Sequence, residues 1–254
     1  PESFGLHVAD KRFVAGQAQA VLQLMSGRPN LPVTAWQPEA VAGHRGRPTL
    51  LSNAETWAQV GRLVLEGPRA YAALGTRDEP GTTLLTLTGT HGRHIVVEAA
   101  FGSRLRDHLP EAALGRPALV GGFHGSWATW PTLASARVSH TGLRELGIPL
   151  GAGVILSLGD HECPVRLTAD IAAFLADQSA GRCGPCVNGL PALASTLRSL
   201  ADGVGGLAAT ARIRELAGLV TGRGACAHPD GTARMARSLL ATFPGEVAAH
   251  AQGG

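Results

Sequence analysis

Cysteine sulfur is the most reactive material in this sequence. Of its four cysteines, Cys183 and Cys186 form a Cys-x-x-Cys pair, and Cys226 follows in Cys226-Ala227-His228-Pro229. Thiolates are soft ligands, so the set suits an iron–sulfur cluster, whose irons ordinarily take cysteine sulfurs. It suits at comparable weight a zinc ion held by three thiolates and the His228 imidazole. The Cys-x-x-Cys pair alone would also serve a thioredoxin-type exchange. A disulfide framework is disfavoured, because no charged start leads into an apolar signal core. The remaining cysteine, Cys163, precedes a predicted helix of about 14 residues, and at ~1.5 Å per residue the far end lies about 20 Å away. Its sulfur is expected to stand apart, as a buried thiol. His44, His91, His94, His108, His124 and His140 are scattered and are expected at the surface or satisfied locally.

The elements that position these sulfurs follow from periodicity. Helical spacing runs from Phe13 to Gly27, with Val14, Ala18, Val21, Leu22 and Met25 on one face. Residues 28–48 hold four prolines and form an irregular loop. A second helix starts at Ser52-Asn53-Ala54-Glu55, where serine and asparagine are natural caps, and carries Trp57, Val60, Leu63 and Val64. The period then changes: Thr83 to Gly89 and Ile95 to Glu98 are β-rich runs joined through His91-Gly92-Arg93. A short helical segment at Ser103 to Leu109 follows, then strands at Ala118-Leu119-Val120 and Val154 to Ser157. This is a small sheet packed on one helix. Gly121-Gly122-Phe123-His124-Gly125-Ser126-Trp127 reads as a turn with a core-anchoring tryptophan, ahead of a ligand surface. After Pro164 helical patterns recur through Leu167 to Leu175, Leu190 to Leu200, Leu207 to Leu219 and Thr232 to Phe243, a four-helix bundle with the cysteines at its ends.

Composition excludes several classes. Net charge is +3, Lys11 is the only lysine, and no basic run or basic–aromatic stripe marks a nucleic-acid surface. No apolar stretch reaches the length of a transmembrane helix, so the cytoplasm is the expected compartment. A nucleophile elbow, a phosphate-binding P-loop and a His-Glu-x-x-His zinc motif are absent from the sequence.

Taken in order, these segments resemble the C-terminal part of the flavin- and NADH-binding subunit of respiratory complex I, and the matching subunits of NAD-linked hydrogenases and formate dehydrogenases. Phe13-Val14-Ala15-Gly16 and the helix after it resemble the family's glycine-glutamate-glutamate-threonine segment. Arg47-Pro48-Thr49 through Asn53-Ala54-Glu55-Thr56 is similar to its proline-threonine to asparagine-valine-glutamate-threonine segment. The β-rich middle resembles its soluble-ligand-binding β-grasp (SLBB) domain. Gln178-Ser179-Ala180-Gly181-Arg182-Cys183-Gly184-Pro185-Cys186 resembles its cluster motif, with Cys226 where the family's distant cysteine falls.

The resemblance implies an α+β fold in three parts: a remnant of a flavin-binding domain (1–78), a ubiquitin-like SLBB β-grasp domain (79–160) and a helical iron–sulfur-binding domain (161–254). It implies a 4Fe-4S or 3Fe-4S cluster on Cys183, Cys186 and Cys226, with His228 as a candidate fourth ligand. It places Ser52, Asn53 and Thr56 toward FMN, whose glycine-rich loop would precede Pro1. Two departures bear on function. Ala180 stands where the family has its first cysteine, and Gln17-Ala18 stand where it has two glutamates. The expected role is electron transfer with a ferredoxin-like or other redox subunit, without NADH oxidation by this chain. The alternative is a non-catalytic binding or assembly module whose cluster is lost or replaced by zinc.

Overall fold

The computed structural model describes residues 4–88 and 94–253. In the N-terminal part, α1 (Ala18–Met25) starts later than the periodicity predicts, because Gln17 turns its own side chain back as the cap: Oε1 accepts from the amides of Gln19 and Ala20 at 2.9 and 3.1 Å. Gly27, at φ 70°, ends the helix as expected. Within the proline-rich loop lie one short helix, α2 (Glu39–Ala42), and a 3-10 turn at His44–Gly46. Next come α3 (Ala54–Glu66), capped by Asn53, and α4 (Pro68–Tyr71).

The mixed α and β character expected from the sequence is present. β1 (Thr82–Thr88), β2 (His94–Ala100), β3 (Ala118–Val120), β4 (Ser126–Ala128) and β5 (Val154–Ser157) form one sheet in the order β2-β1-β5-β3-β4. β1 runs antiparallel to β2, in register from Thr82↔Ala100 to Thr88↔His94, and parallel to β5. β3 is antiparallel to both β4 and β5. The connection predicted at His91-Gly92-Arg93 lies outside the described residues.

Two expectations for this region are corrected. Ser103 to Leu109 holds a single 3-10 turn at Leu105–Asp107 in place of a helix. Instead of one packed helix, the sheet carries α5 (Trp130–Ser135), α6 (His140–Glu145) and 3-10 turns on one face and the bundle on the other. Strand alternation makes both contacts possible. Leu119, Leu156 and Trp127 point to the bundle, while Ala118, Val120, Ile155 and Ala128 point to the core beneath α5 and α6. The β3–β4 turn is tight enough that a Cβ on Gly125 would sit 1.8 Å from the Val120 carbonyl oxygen, so only glycine fits. Beyond it Trp127 is buried, and its Nε1–H donates to Thr168 Oγ1 at 2.9 Å, locking sheet to bundle.

The bundle comprises α7 (Pro164–Asp177), α8 (Leu190–Ala201), α9 (Gly206–Val220) and α10 (His228–Thr242), with a fifth short helix, α11 (Pro244–Ala251), added at its end. Contacts run α7 to α8, α8 to α9, α9 to α10 and α10 back to α7, which closes the ring. Apolar residues at helical spacing fill it, among them Val165, Leu175, Leu193, Leu197, Ile213 and Leu239. Among the described residues, no helix is long and apolar enough to cross a membrane.

Candidate metal centre

Two of the four sulfurs, those of Cys183 and Cys186, meet beyond the C-terminal end of α7, and the loop that carries a third, Cys226, runs beside them. Gly181, at φ 63°, reverses the chain after the helix, and Pro185–Gly189 form a wide π-helical turn leading into α8. This turn buries Cys186 and sets its Sγ 3.5 Å from Cys183 Sγ. The segment ahead of α10, a helix that packs on both α7 and this turn, carries Cys226. A Cβ on Gly224 would lie 2.7 Å from the Cys226 carbonyl oxygen, so the loop needs glycine there. Asp230 holds the same loop, accepting from the Gly222 amide at 2.6 Å.

Backbone N–H groups lie near each sulfur. The amides of Ala225 and Cys186 are directed at Cys183, that of Ala180 at Cys186, and that of His228 at Cys226. Burial pushes the Cys183 thiol up, but its amide contacts and the Cys186 thiol outweigh burial and bring it below the usual thiol range. Cys186 is pushed up to about 11, first by burial and then by its neighbour Cys183, with Cys226 adding to the repulsion. Cys226 is raised by burial and by the charges of Cys183 and Asp230, against the opposing His228 amide. Burial and mutual repulsion thus oppose negative charge on Cys186 and Cys226, and nearby backbone amides offset part of that cost.

This donor set fits an iron–sulfur cluster in three of its four protein positions. At the fourth, Ala180 presents a methyl group. Among the described residues, no group of three or more His, Cys, Asp or Glu side chains is placed to hold a single metal ion.

His228 is brought to the first turn of α10 but is occupied elsewhere. Its Nε2 lies 2.8 Å from the Leu175 carbonyl oxygen, which can only accept, so Nε2 carries the proton. Burial pushes the ring below the usual histidine range and so favours its neutral form, with the Leu175 carbonyl opposing. Nδ1 then accepts from His124 Nε2 at 3.0 Å. Both nitrogens counted as candidate metal donors are thus engaged in hydrogen bonds. His124 is a residue that spacing alone could not single out. It comes from the β3–β4 turn and packs so closely on α10 that a Cβ on Gly231 would fall 2.3 Å from its ring. Burial, His228 and Arg234 push it down to about 4. Phe13 lies edge-on to this imidazole at 4.8 Å and close to Phe174, while its amide donates to Gln178 Oε1 at 3.2 Å. The N-terminal segment therefore docks beside the helix end from which the Cys183 loop departs.

Cys163 is at the opposite end of α7, as the helix's cap, and its thiol lies 3.0 Å from His250 Nε2. The 14-residue length predicted for the intervening helix is the length found. Near the sheet, Asn53 and Thr56 line a cleft of about 500 Å³ together with Gln59, Tyr71 and His140. The Asn53 Oδ1 is used as the α3 cap, accepting from the Thr56 amide at 2.8 Å. Ser52 is exposed ahead of it.

Residues 166–250, which include Cys183, Cys186 and Cys226, match the family described as the NADH-ubiquinone oxidoreductase-F iron-sulfur binding region. The chain resembles the C-terminal region of that F subunit. The F 2 subunit of the NADH-quinone oxidoreductase of Rhizobium meliloti (strain 1021) is 29% identical over 96% of this chain and 60% of the relative. The F subunit of Mycobacterium bovis (strain ATCC BAA-935 / AF2122/97) is 29% identical over 98% of this chain and 57% of that protein. The chain thus spans little more than half the length of these relatives. Among solved structures, an NAD+-reducing [NiFe]-hydrogenase in the H2-reduced state superposes with a TM-score of 0.84 at 24% identity, covering 96% of this chain and 42% of the hydrogenase chain. At that identity the likeness is one of fold.

Proposed function

We propose that this chain is an electron-transfer subunit or part of one, holding an iron–sulfur cluster on Cys183, Cys186 and Cys226 and passing single electrons to a ferredoxin-like or other redox subunit in the cytoplasm. The observation that carries this reading is the placement of three thiols on two neighbouring loops, each with backbone amides nearby, inside the matched region. When bound, a cluster of this kind accepts and returns one electron. The residues of the chain supply the rest: sulfurs fixed by the Gly181 and Gly224 turns, amides that lower the cost of negative charge, and the buried wall of α8 that limits water. Three cysteines suit a three-iron cluster, or a four-iron cluster with a non-cysteine ligand at the position of Ala180.

The finer architecture follows from the same reading. A mixed sheet with parallel β1 and β5 at its centre supports an SLBB-type β-grasp domain at 79–160, between a flavin-domain remnant at 1–78 and the helical domain at 161–254. In that remnant Ser52, Asn53 and Thr56 would contribute to an FMN site. NADH oxidation is assigned elsewhere, because at positions 17 and 18 the Gln17 oxygen is committed to capping α1 and Ala18 is a methyl, so neither position offers a carboxylate to tune a flavin or orient a nicotinamide.

Ala180 favours a second reading, an assembly module whose cluster is lost. Anaerobic purification followed by iron, sulfide and zinc analysis separates the two. Iron and sulfide in matched amounts, with an electron paramagnetic resonance signal in one oxidation state, are expected, and Cys186→Ser should abolish most of both. Ala180→Cys should raise iron retention. Colourless protein carrying stoichiometric zinc, or no metal, would replace the first reading by the second.

A further inference from the structure

At the end of the bundle remote from the three thiols, Cys163 and His250 form a pair that the electron-transfer reading does not use. Cys163 caps α7 and is partly exposed, at the edge of an open cleft of about 520 Å³ between the β5 exit and α11. His250, on α11, is 8% exposed, and its Nε2 lies 3.0 Å from Cys163 Sγ. The Arg166 amide also donates to Sγ, at 3.5 Å. Among the described residues, buried Nδ1 of His250 has no hydrogen-bond partner.

That unpartnered nitrogen decides which way the contact runs. A proton on Nδ1 would be a buried donor without an acceptor, whereas a bare lone pair there costs less. The proton therefore belongs on Nε2, directed at sulfur. Cys163 Sγ then accepts from two N–H groups at the N-terminal end of a 14-residue helix, which orient its sulfur at the cleft edge. Arg116, Asp160, Glu162 and Glu246 ring the cleft, with Arg116 already paired to Asp160 at 2.5 Å. Phe243 supplies an apolar wall.

We propose that Cys163 and His250 form a nucleophilic thiol–imidazole pair, and that Cys163 is a site of reversible modification by small disulfides. Cys163 Sγ attacks one sulfur of the disulfide. The S–S bond breaks, a mixed disulfide forms on Cys163, and the other half leaves as a thiolate that takes a proton from solvent, balancing the one Cys163 gives up to solvent on attack, while His250 Nε2–H stays a donor to Sγ throughout. The Cys163 sulfur is oxidised, the departing sulfur is reduced, and no other co-reactant is needed.

The test uses the full chain, freshly reduced, with bis(2-hydroxyethyl) disulfide at neutral pH, and follows each cysteine separately by peptide mass spectrometry. Following each site keeps the result independent of whether Cys183, Cys186 and Cys226 carry iron. The reference is a synthetic peptide of residues 158–168, which keeps His161 but lacks His250 and the folded helix. Cys163 in the protein should react at least about ten-fold faster than in the peptide. His250→Gln or His250→Asn, whichever retains the wild-type circular dichroism, should remove that advantage. A ratio below about ten overturns the proposal, and so does an unchanged rate in a folded His250 variant. Should neither variant fold, the ratio of protein to peptide decides.

Discussion

In the bundle, α7, α8, α9 and α10 completely bury Leu175, Leu193, Leu197, Ile213 and Leu239, whereas α3, a helix of comparable length, buries none of its residues. α3 is held instead by directional polar contacts. The Glu55 carboxylate accepts from Thr83 Oγ1 and the Leu84 amide at 2.9 and 2.8 Å, Gln59 Nε2 donates to the Thr82 carbonyl, and Arg62 pairs with Glu98. Trp57, Val60, Leu63, Val64 and Leu65 meanwhile remain exposed. Hydrogen bonds fix where a helix lies but add little net stability, while apolar burial supplies most of it. The cysteine loops hang from the part of the molecule that is stable by packing, whereas α3 is aligned to the sheet by polar contacts.

The sharpest way to break this contrast is to open a cavity in the bundle. Leu193→Ala should lower unfolding free energy by about 2 to 5 kcal/mol, measured by denaturant titration, because the ring of helices leaves no room for collapse. A loss below about 1 kcal/mol would mean that the bundle is loosely packed and cannot fix the thiols. A smaller effect is expected where sheet meets bundle. Trp127→Phe removes the indole N–H that reaches Thr168 Oγ1 but keeps the ring against Phe243, whose centroid is 5.3 Å away. The expected loss is about 1 kcal/mol. Since Thr168 Oγ1 still donates to the Pro164 carbonyl, α7 should stay intact and only its coupling to the sheet weaken. Amide exchange in β4 faster than in α7 would record that.

Long, strongly periodic elements were legible in the sequence. The bundle helices announce themselves by apolar spacing, and the length of α7 correctly separated Cys163 from the other sulfurs. Short elements were not. β4 has three residues, and its central Trp127 reads equally well as a turn anchor, which it also is. α5 and α6 carry too few residues for a period to emerge. At the candidate metal centre Cys183 and Cys186 stand out by their Cys-x-x-Cys spacing and Cys226 by the family resemblance, but the fate of His228 does not follow from either. Its proximity to Cys226 in sequence suggested ligation, and the deciding partners, Leu175 and His124, come from distant segments. Nor could spacing reveal the pairing of Cys163 with His250, which are 87 positions apart.

The N-terminal third offers the two gentlest probes. Asn53→Ala removes the cap that accepts from the Thr56 amide and should cost about 1 kcal/mol of helix stability. With no buried face to transmit it, the loss should show as faster amide exchange confined to α3, not as a shift of the global transition.

Leu65→Ser should do least of all. Leu65 is 87% exposed, so no packing is lost, and the lower helix propensity of serine accounts for a few tenths of a kcal/mol. A change within about 0.5 kcal/mol in the purified chain is therefore expected. A loss beyond about 1 kcal/mol would mean that something covers the apolar face of α3 in solution. That face would then belong to a buried interface, and the difference between the two regions would lie in what each is packed against, not in how each folds.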